Sequence, residues 1–237
     1  MTKEFFSRLE AYMLSAMEDS AHDPEHIYRV LHNALLIAQE EEVVDYDVLI
    51  TACLLHDVGR KAQFADPQVC HAQAGSEMAY HYLMEQGKPE EFCEQVRHCI
   101  RTHRFRSNDQ PRTIEARILF DADKLDVTGA LGIARTLMYK GNTAEPIYHL
   151  RPDGSVSDGT EDDRPSFFRE YVFKLDKIYD RFYTAKGAQL AENSRQAAKD
   201  FYDALYQQIT QPRQQGISLL KRLLDSADES RINTECR

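Results

Sequence analysis

Apolar side chains recur at the 3.6-residue spacing of an amphipathic helix along most of this chain. Only ten glycines and eight prolines interrupt its 237 residues, and the alternating β-branched runs that would indicate strands are nearly absent. The spacing is clear in the set Ile27, Val30, Leu31, Ala34, Leu35 and Ala38. The pattern therefore predicts an all-α fold.

Residues that commonly begin and end helices give the predicted boundaries near the start of the chain. The pair Asp23-Pro24 is predicted to open one helix, and Asp45 or Asp47 to open the next. That second helix, over residues 48–55, is apolar almost all round, which is typical of a helix at the centre of a fold. We expect Gly59 at its C-terminal end.

The helical pattern is interrupted between residues 141 and 165, where prolines, glycines and carboxylates accumulate. This segment is either a lid or a solvated connection. Helices are predicted over 69–86, 89–103, 113–126 and 128–140 before it, and over 167–183, 188–209 and 216–226 after it. We expect Gln211-Pro212 to end the helix over 188–209, because proline removes a helical hydrogen bond.

We expect one domain, a helical bundle with its C-terminal helices packed on it, followed by a tail. A chain of this length buries roughly 70–75% of its extended surface, so it can fold without disulfides. The predicted parts are the domain over 1–210, its core motifs over 20–140, its C-terminal helices over 166–210, and a short helix with a polar tail over 211–237.

The composition argues against several classes of protein. A net charge of −10 disfavours a nucleic-acid polymer as partner, because binding phosphates needs excess Lys and Arg. No apolar run approaches the ~18 residues of a spanning helix, and the first residues lack the pattern of a signal peptide. Five cysteines without a CxxC pair are typical of reduced thiols, with Cys53 and Cys99 expected in the core and Cys236 without a role. We therefore expect a cytoplasmic protein, monomeric or homodimeric.

Histidine and aspartate occur together at three separated places in predicted helices. His26 lies on the first amphipathic helix, the pair His56-Asp57 ends the most apolar helix, and aspartates recur over residues 121–126. A histidine, an adjacent His-Asp pair and one further aspartate would supply two nitrogen and two oxygen ligands. That mixture suits a divalent transition-metal ion and leaves positions for water. A cation would also offset the cost of burying an unpaired Asp57.

These motifs, in this order, resemble the HD-domain metal-dependent phosphohydrolases, most closely the small bacterial branch of uncharacterised HD hydrolases. The matching stretches are residues 22–30 (HDPEHIYRV), 52–59 (ACLLHDVG), 121–126 (DADKLD) and 129–135 (GALGIAR). The resemblance implies an all-α HD fold with a metal held by His26, His56, Asp57 and Asp123. It selects Asp123 through the family's usual Ala-Asp-Lys/Arg-Leu pattern.

Other polar residues near the motifs have several open roles. Asp121 could support the ligands, and Asp126 could approach the metal or orient a ligand. In some HD relatives histidines at the positions of His71 and His103 hold a second metal, and in single-metal relatives they face the phosphate or the attacking water. His98 is not expected to point at the same spot as His103. The roles of His22 and His98 stay open.

The resemblance implies hydrolysis of a phosphate ester or anhydride by a metal-activated water. The substrate is expected to be a nucleotide or another small phosphorylated metabolite. The predicted catalytic residues are Asp57, His71 and His103, and the predicted substrate contacts are Arg60, Lys61 and Lys124. We expect one divalent ion, Mn²⁺, Ni²⁺, Co²⁺, Fe²⁺, Zn²⁺ or Mg²⁺, with a second ion as an open alternative. Competing interpretations are a non-catalytic metal-binding sensing module and a di-iron oxygenase.

Overall fold

A computed structural model of the protein describes residues 1–17, 24–104 and 109–235. Most of the chain over these ranges is helical, and its only extended pairing there is one isolated bridge between Leu150 and Val156. The predicted all-α fold is therefore confirmed. The predicted cap Asp23 lies outside the described residues, as do His22 and Cys236. No helix among the described residues is both long and apolar enough to cross a bilayer.

Ten α-helices are described, and most agree with the predicted ranges. They are α1 Lys3–Met17, α2 Pro24–Ala38, α3 Tyr46–Leu55, α4 Arg60–Ala65, α5 His71–Glu85, α6 Glu90–Thr102, α7 Ile114–Leu125, α8 Gly129–Asn142, α9 Phe167–Glu170 and α10 Ala185–Glu235. The chain divides into two compact units, residues 1–132 with 178–195, and residues 133–177 with 196–237.

Helix α3 lies at the centre of the first unit, as its apolar sequence predicts. Its carboxyl-terminal half, from Thr51 to Leu55, is fully buried, and α3 packs against α1, α2, α6 and α7. Asp45 opens the helix, because its carboxylate accepts hydrogen bonds from the backbone N–H groups of Asp47 and Val48 at 2.9 and 3.1 Å. The predicted core cysteines Cys53 and Cys99 are fully buried in the same apolar cluster.

The position expected for Gly59 is wrong in detail. Helix α3 ends at Leu55, and Gly59 instead precedes the first residue of α4 with an ordinary negative φ of −81°. A Cβ atom at this position would lie 2.3 Å from the carbonyl oxygen of His71 and 2.4 Å from the backbone nitrogen of Gly75. Glycine is therefore required because α5 packs directly on this turn.

The second unit has an aromatic core. Phe167 and Phe168 are fully buried, and the rings of Tyr171 and Tyr202 stack with centroids 4.1 Å apart. The segment over 141–165 is folded on itself. Two of its backbone hydrogen bonds join Ser157 to His149 and Arg151 to Ser155. Val156 and Ser157 are buried. Most of the segment is nevertheless exposed or half-buried, so a solvated connection and a lid both stay predictions.

The C-terminal helix boundaries differ from the predicted ones. In place of one helix over 167–183, the four-residue α9 is followed by a π-helical segment, Tyr171–Leu175, and a 3-10 turn, Ile178–Asp180. The chain then leaves helical geometry because the carboxylate of Asp121 binds the backbone N–H groups of Tyr183 and Thr184.

The helix end expected at Gln211-Pro212 is also wrong. Helix α10 continues through Pro212 and includes the segment expected to be a separate helix over 216–226. Proline is tolerated because the carbonyl that loses its partner belongs to Gln208, an exposed residue that can bind water instead. The domain boundary expected at residue 210 stays a prediction.

Candidate metal centre

The helices of the first unit bring six histidine and aspartate side chains together. His26 lies in the first turn of α2, His56-Asp57 directly follows α3, His71 begins α5, His103 directly follows α6 and Asp123 lies on α7. Two groups have ligand atoms within 4.8 Å of one another. They are His26, His56 and Asp123, and then Asp57, His71 and His103. The predicted ligands and the predicted catalytic histidines therefore share one buried location.

Asp57 lies between the two groups. Its Oδ2 is 3.6 Å from His26 Nε2 and 3.7 Å from His56 Nε2. Its Oδ1 is 3.3 Å from His71 Nε2 and 3.8 Å from His103 Nε2. Although Oδ2 is buried, it makes no hydrogen bond within the described residues. A buried carboxylate oxygen without a donor is costly, and a cation would stabilise it.

All four histidines point the same ring nitrogen at the centre. The Nε2 atoms of His26 and His56 are 3.4 Å apart, and the Nε2 atoms of His71 and His103 are 3.3 Å apart. Each Nδ1 faces an oxygen at 2.6 or 2.7 Å, namely Asp126 Oδ2, the Cys53 carbonyl, Gln63 Oε1 and the Ile100 carbonyl. When Nδ1–H donates to these oxygens, each ring in its neutral form presents the Nε2 lone pair to a metal.

The electrostatics of the site favour ionised carboxylates. Burial raises the pKa of the Asp57 carboxyl, but the positive charges of His56 and Arg60 outweigh burial and hold this pKa well below its usual range. The pKa of Asp123 is likewise lowered, against burial, by its hydrogen bond to His26. Both side chains therefore present the charged form that binds cations.

The pKa values of His71, His103 and His26 are shifted in two different directions. Burial lowers the pKa of His71 to about 2, with the charge of Arg60 adding to the effect, and burial lowers that of His103 to about 4. For His26 burial acts in the same direction, but the hydrogen bonds to Asp123 and Asp126 outweigh it and raise its pKa to about 9. Metal binding at His26 therefore has to displace a proton.

Two arginine side chains lie beside the centre. Arg60 Nε donates a hydrogen bond of 2.9 Å to Asp57 Oδ1, and Arg104 Nη1 lies 3.2 Å from His71 Nδ1. Of the other predicted substrate contacts, Lys61 is exposed on α4, and the ammonium of Lys124 lies 3.6 Å from the centroid of the Phe120 ring. The structure thus places Arg60 directly at the centre.

The remaining candidates have structural contacts elsewhere, and one supporting residue escaped sequence reasoning. Asp121 is buried and binds Thr184 through both the backbone N–H and the hydroxyl, so it joins α7 to the chain before α10. His98 Nε2 accepts a hydrogen bond from the backbone N–H of Arg112. Gln63 was missed, because only the packing of α4 against α5 brings its amide to His71.

Comparison with known proteins agrees with this fold. Residues 25–128 match the HD domain family model. The chain is 28% identical over 196 residues to the uncharacterised protein YpgQ of Bacillus subtilis, covering 81% of this chain and 86% of YpgQ. A crystal structure of B. subtilis YpgQ in complex with ADP is 25% identical, with a TM-score of 0.66, covering 86% of this chain and 95% of that one.

A further solved structure is described as an HD-superfamily hydrolase from Bacillus thuringiensis. It is 28% identical, with a TM-score of 0.65, and covers 87% of this chain and 97% of its own. The predicted resemblance is therefore confirmed: residues 25–128 match the HD domain, and the chain is similar to YpgQ and to structures described as HD-superfamily hydrolases. It carries the fold of an HD-superfamily hydrolase with a candidate metal site.

Proposed function

We propose that the protein is a metal-dependent phosphohydrolase that cleaves a phosphate ester or anhydride of a nucleotide or another small phosphorylated metabolite. One observation carries the proposal: four histidine Nε2 atoms and the Asp57 and Asp123 carboxylates converge on one buried centre. The ADP held by the solved YpgQ structure supports a nucleotide as the substrate class. A cytoplasmic location and a monomeric or homodimeric state stay predictions.

The ligands proposed for the ion are His26, His56, Asp57 and Asp123. Two nitrogens and two carboxylates fit Mn²⁺, Fe²⁺, Co²⁺, Ni²⁺ or Zn²⁺, and the unbonded Asp57 Oδ2 faces both of the histidines. When bound, such an ion polarises a phosphoryl oxygen and lowers the pKa of a coordinated water.

A single ion is favoured over two by the charges near His71 and His103. Arg60 already donates to the Asp57 oxygen that faces these histidines, and Arg104 lies beside His71. Two guanidinium groups beside these histidines repel a second cation and attract a phosphate. We therefore assign this half of the centre to the substrate.

The roles of the chain's own residues follow from their charge states. Because the pKa of Asp57 is low, Asp57 suits binding a cation better than accepting a proton. Because burial keeps His71 and His103 neutral, they suit orienting the attacking water better than protonating a leaving group. Arg60, Lys61 and Lys124 would hold the phosphate.

The test is release of phosphate or pyrophosphate from a panel of nucleoside mono-, di- and triphosphates. The protein is stripped of metal with a chelator and reloaded with Mn²⁺. We expect release only after reloading, and we expect His56→Ala to abolish it. His81→Ala serves as the control, because His81 is exposed. No release from any nucleotide by the reloaded wild type would contradict the proposal.

Two other results would favour the competing interpretations. Nucleotide binding without hydrolysis by the Mn²⁺-loaded protein would indicate a sensing module. The second group, Asp57, His71 and His103, also fits the second ion of a di-iron centre. Two tightly bound irons per chain, together with oxygen consumption, would indicate oxygenase chemistry instead of hydrolysis.

A further inference from the structure

One histidine of the candidate metal centre differs from the other three in what its Nδ1 faces. The Nδ1 atoms of His56, His71 and His103 face neutral oxygens, whereas that of His26 lies 2.7 Å from a carboxylate oxygen of Asp126. Asp126 is 1% exposed. A charged acceptor fixes the ring more strongly than a carbonyl and makes Nε2 a better electron donor to a metal.

The carboxylate of Asp126 is held on its other side by Arg29. Arg29 Nε donates to Oδ1 at 2.6 Å and Nη2 donates to Oδ2 at 3.1 Å, so the guanidinium meets the carboxylate in two places. This pair offsets the cost of burying the Asp126 charge and fixes the plane of the carboxylate. Both oxygens of Asp126 are thus in contact with His26 or Arg29, which suits a residue that orients a ligand.

The last turn of α7 carries both a proposed metal ligand, Asp123, and the residue that contacts the far side of the His26 ring, Asp126. Asp126 follows the last residue of α7, and its backbone N–H bonds to the carbonyl of Asp123 at 3.2 Å. Asp123 and Asp126 therefore lie in the same turn, and Asp123 Oδ1 is 3.3 Å from His26 Nε2. One end of the His26 ring faces a proposed ligand, and the other end faces the carboxylate that orients the ring.

We propose that Asp126 is a positioning residue for the metal centre: together with Arg29 it holds His26 in the orientation that binds the ion. The inference rests on the proposed metal-dependent function. It assigns Asp126 a role in ion affinity, and it couples Arg29, whose side chain is 30% exposed, to the same ligand.

The experiment measures the Mn²⁺ affinity of chelator-treated protein by isothermal titration calorimetry, at a temperature well below unfolding. Asp126→Asn is expected to weaken Mn²⁺ binding by about 10–100-fold, the usual effect of losing such a partner of a ligand. Hydrolysis lost by this variant at limiting Mn²⁺ should return in excess Mn²⁺, whereas a folding defect would persist.

Asp121→Asn is the matched control. Asp121 is a buried aspartate on the same helix, but its oxygens bind Tyr183 and Thr184. This variant should lower the unfolding temperature and leave the Mn²⁺ affinity unchanged. An equal loss of affinity in Asp121→Asn and Asp126→Asn would overturn the inference, because the effect would then be general destabilisation.

Arg29→Gln is a second arm that decides the question if Asp126→Asn does not fold. It keeps the contact between His26 and Asp126 and removes the two-point contact, so a several-fold loss of affinity is expected. Unchanged affinity in Arg29→Gln would overturn the coupling, and unchanged affinity in a folded Asp126→Asn would overturn the positioning role. A wild type that binds no Mn²⁺ would instead refute the proposed function.

Discussion

Replacing Gly59 by alanine would place a methyl group where α5 crosses the turn that precedes α4. The new Cβ would lie 2.3 Å from the His71 carbonyl oxygen and 2.4 Å from the Gly75 nitrogen, whereas ordinary contacts are 3.4–4 Å. Both partners are backbone atoms, so neither can rotate away. The turn and the start of α5 must therefore separate by about 1 Å.

The expected cost has two parts. Overpacking of this kind typically destabilises a protein by about 1–3 kcal/mol, occasionally more. His71 is the first residue of α5, and a displacement of about 1 Å in a catalytic arrangement can cost about 100-fold in rate. Urea unfolding measures the first part, and the rate of nucleotide hydrolysis in excess Mn²⁺ measures the second.

Gly216→Ala is the matched control. Gly216 lies within α10, and no heavy atom lies within 4 Å of the position its Cβ would take. Alanine there should leave stability unchanged or raise it by up to about 1 kcal/mol, because glycine is the poorer helix former. If Gly59→Ala is as stable and as active as the wild type, the packing attributed to this turn is wrong.

Three further predictions concern metal, pH and substrate. Adding Mn²⁺ to chelator-treated protein at 100 times its dissociation constant should stabilise the fold by about 2.7 kcal/mol in thermal unfolding, and no shift would argue against a resident ion. In metal-free protein, the folded pKa of His103 near 4 lies below its unfolded value, so the unfolded state binds more protons and stability should fall as pH falls from 6.5 towards 4. His103 alone would contribute about 3 kcal/mol to this fall. Equal free energies of unfolding in urea at pH 6.5 and at pH 4 would contradict the prediction. Arg60→Gln should raise KM for a nucleotide by about 10–100-fold through loss of a charge-assisted hydrogen bond, and an unchanged KM would remove Arg60 from substrate binding.

Most of the fold follows from local sequence patterns. The bounds of α5, α6 and α7 agree with the predicted ranges within a few residues, because apolar spacing and capping residues act within one helix. The failures have nonlocal causes. The end of helical geometry before Tyr183 depends on the carboxylate of Asp121, which is 62 residues away in the sequence. The survival of α10 through Pro212 depends on that turn being exposed to water.

The candidate site divides in the same way. The residue types and motif order of His26, His56, Asp57 and Asp123 are visible in the sequence, and the structure brings these four together. What the sequence leaves open is the orientation of side chains from different helices. The contacts of Asp126 with His26 and Arg29 and of Gln63 with His71 arise only when α2 packs on α7 and α4 on α5.

The central claim is that four residues, His26, His56, Asp57 and Asp123, hold a metal ion. The most direct test is to soak crystals of the chelator-treated protein in Mn²⁺ and to locate the metal by anomalous diffraction. The expected result is a strong anomalous peak among His26 Nε2, His56 Nε2, an oxygen of Asp57 and an oxygen of Asp123. An anomalous map with no peak there, or with the strongest peak at another location, would contradict the assignment of these four residues as ligands.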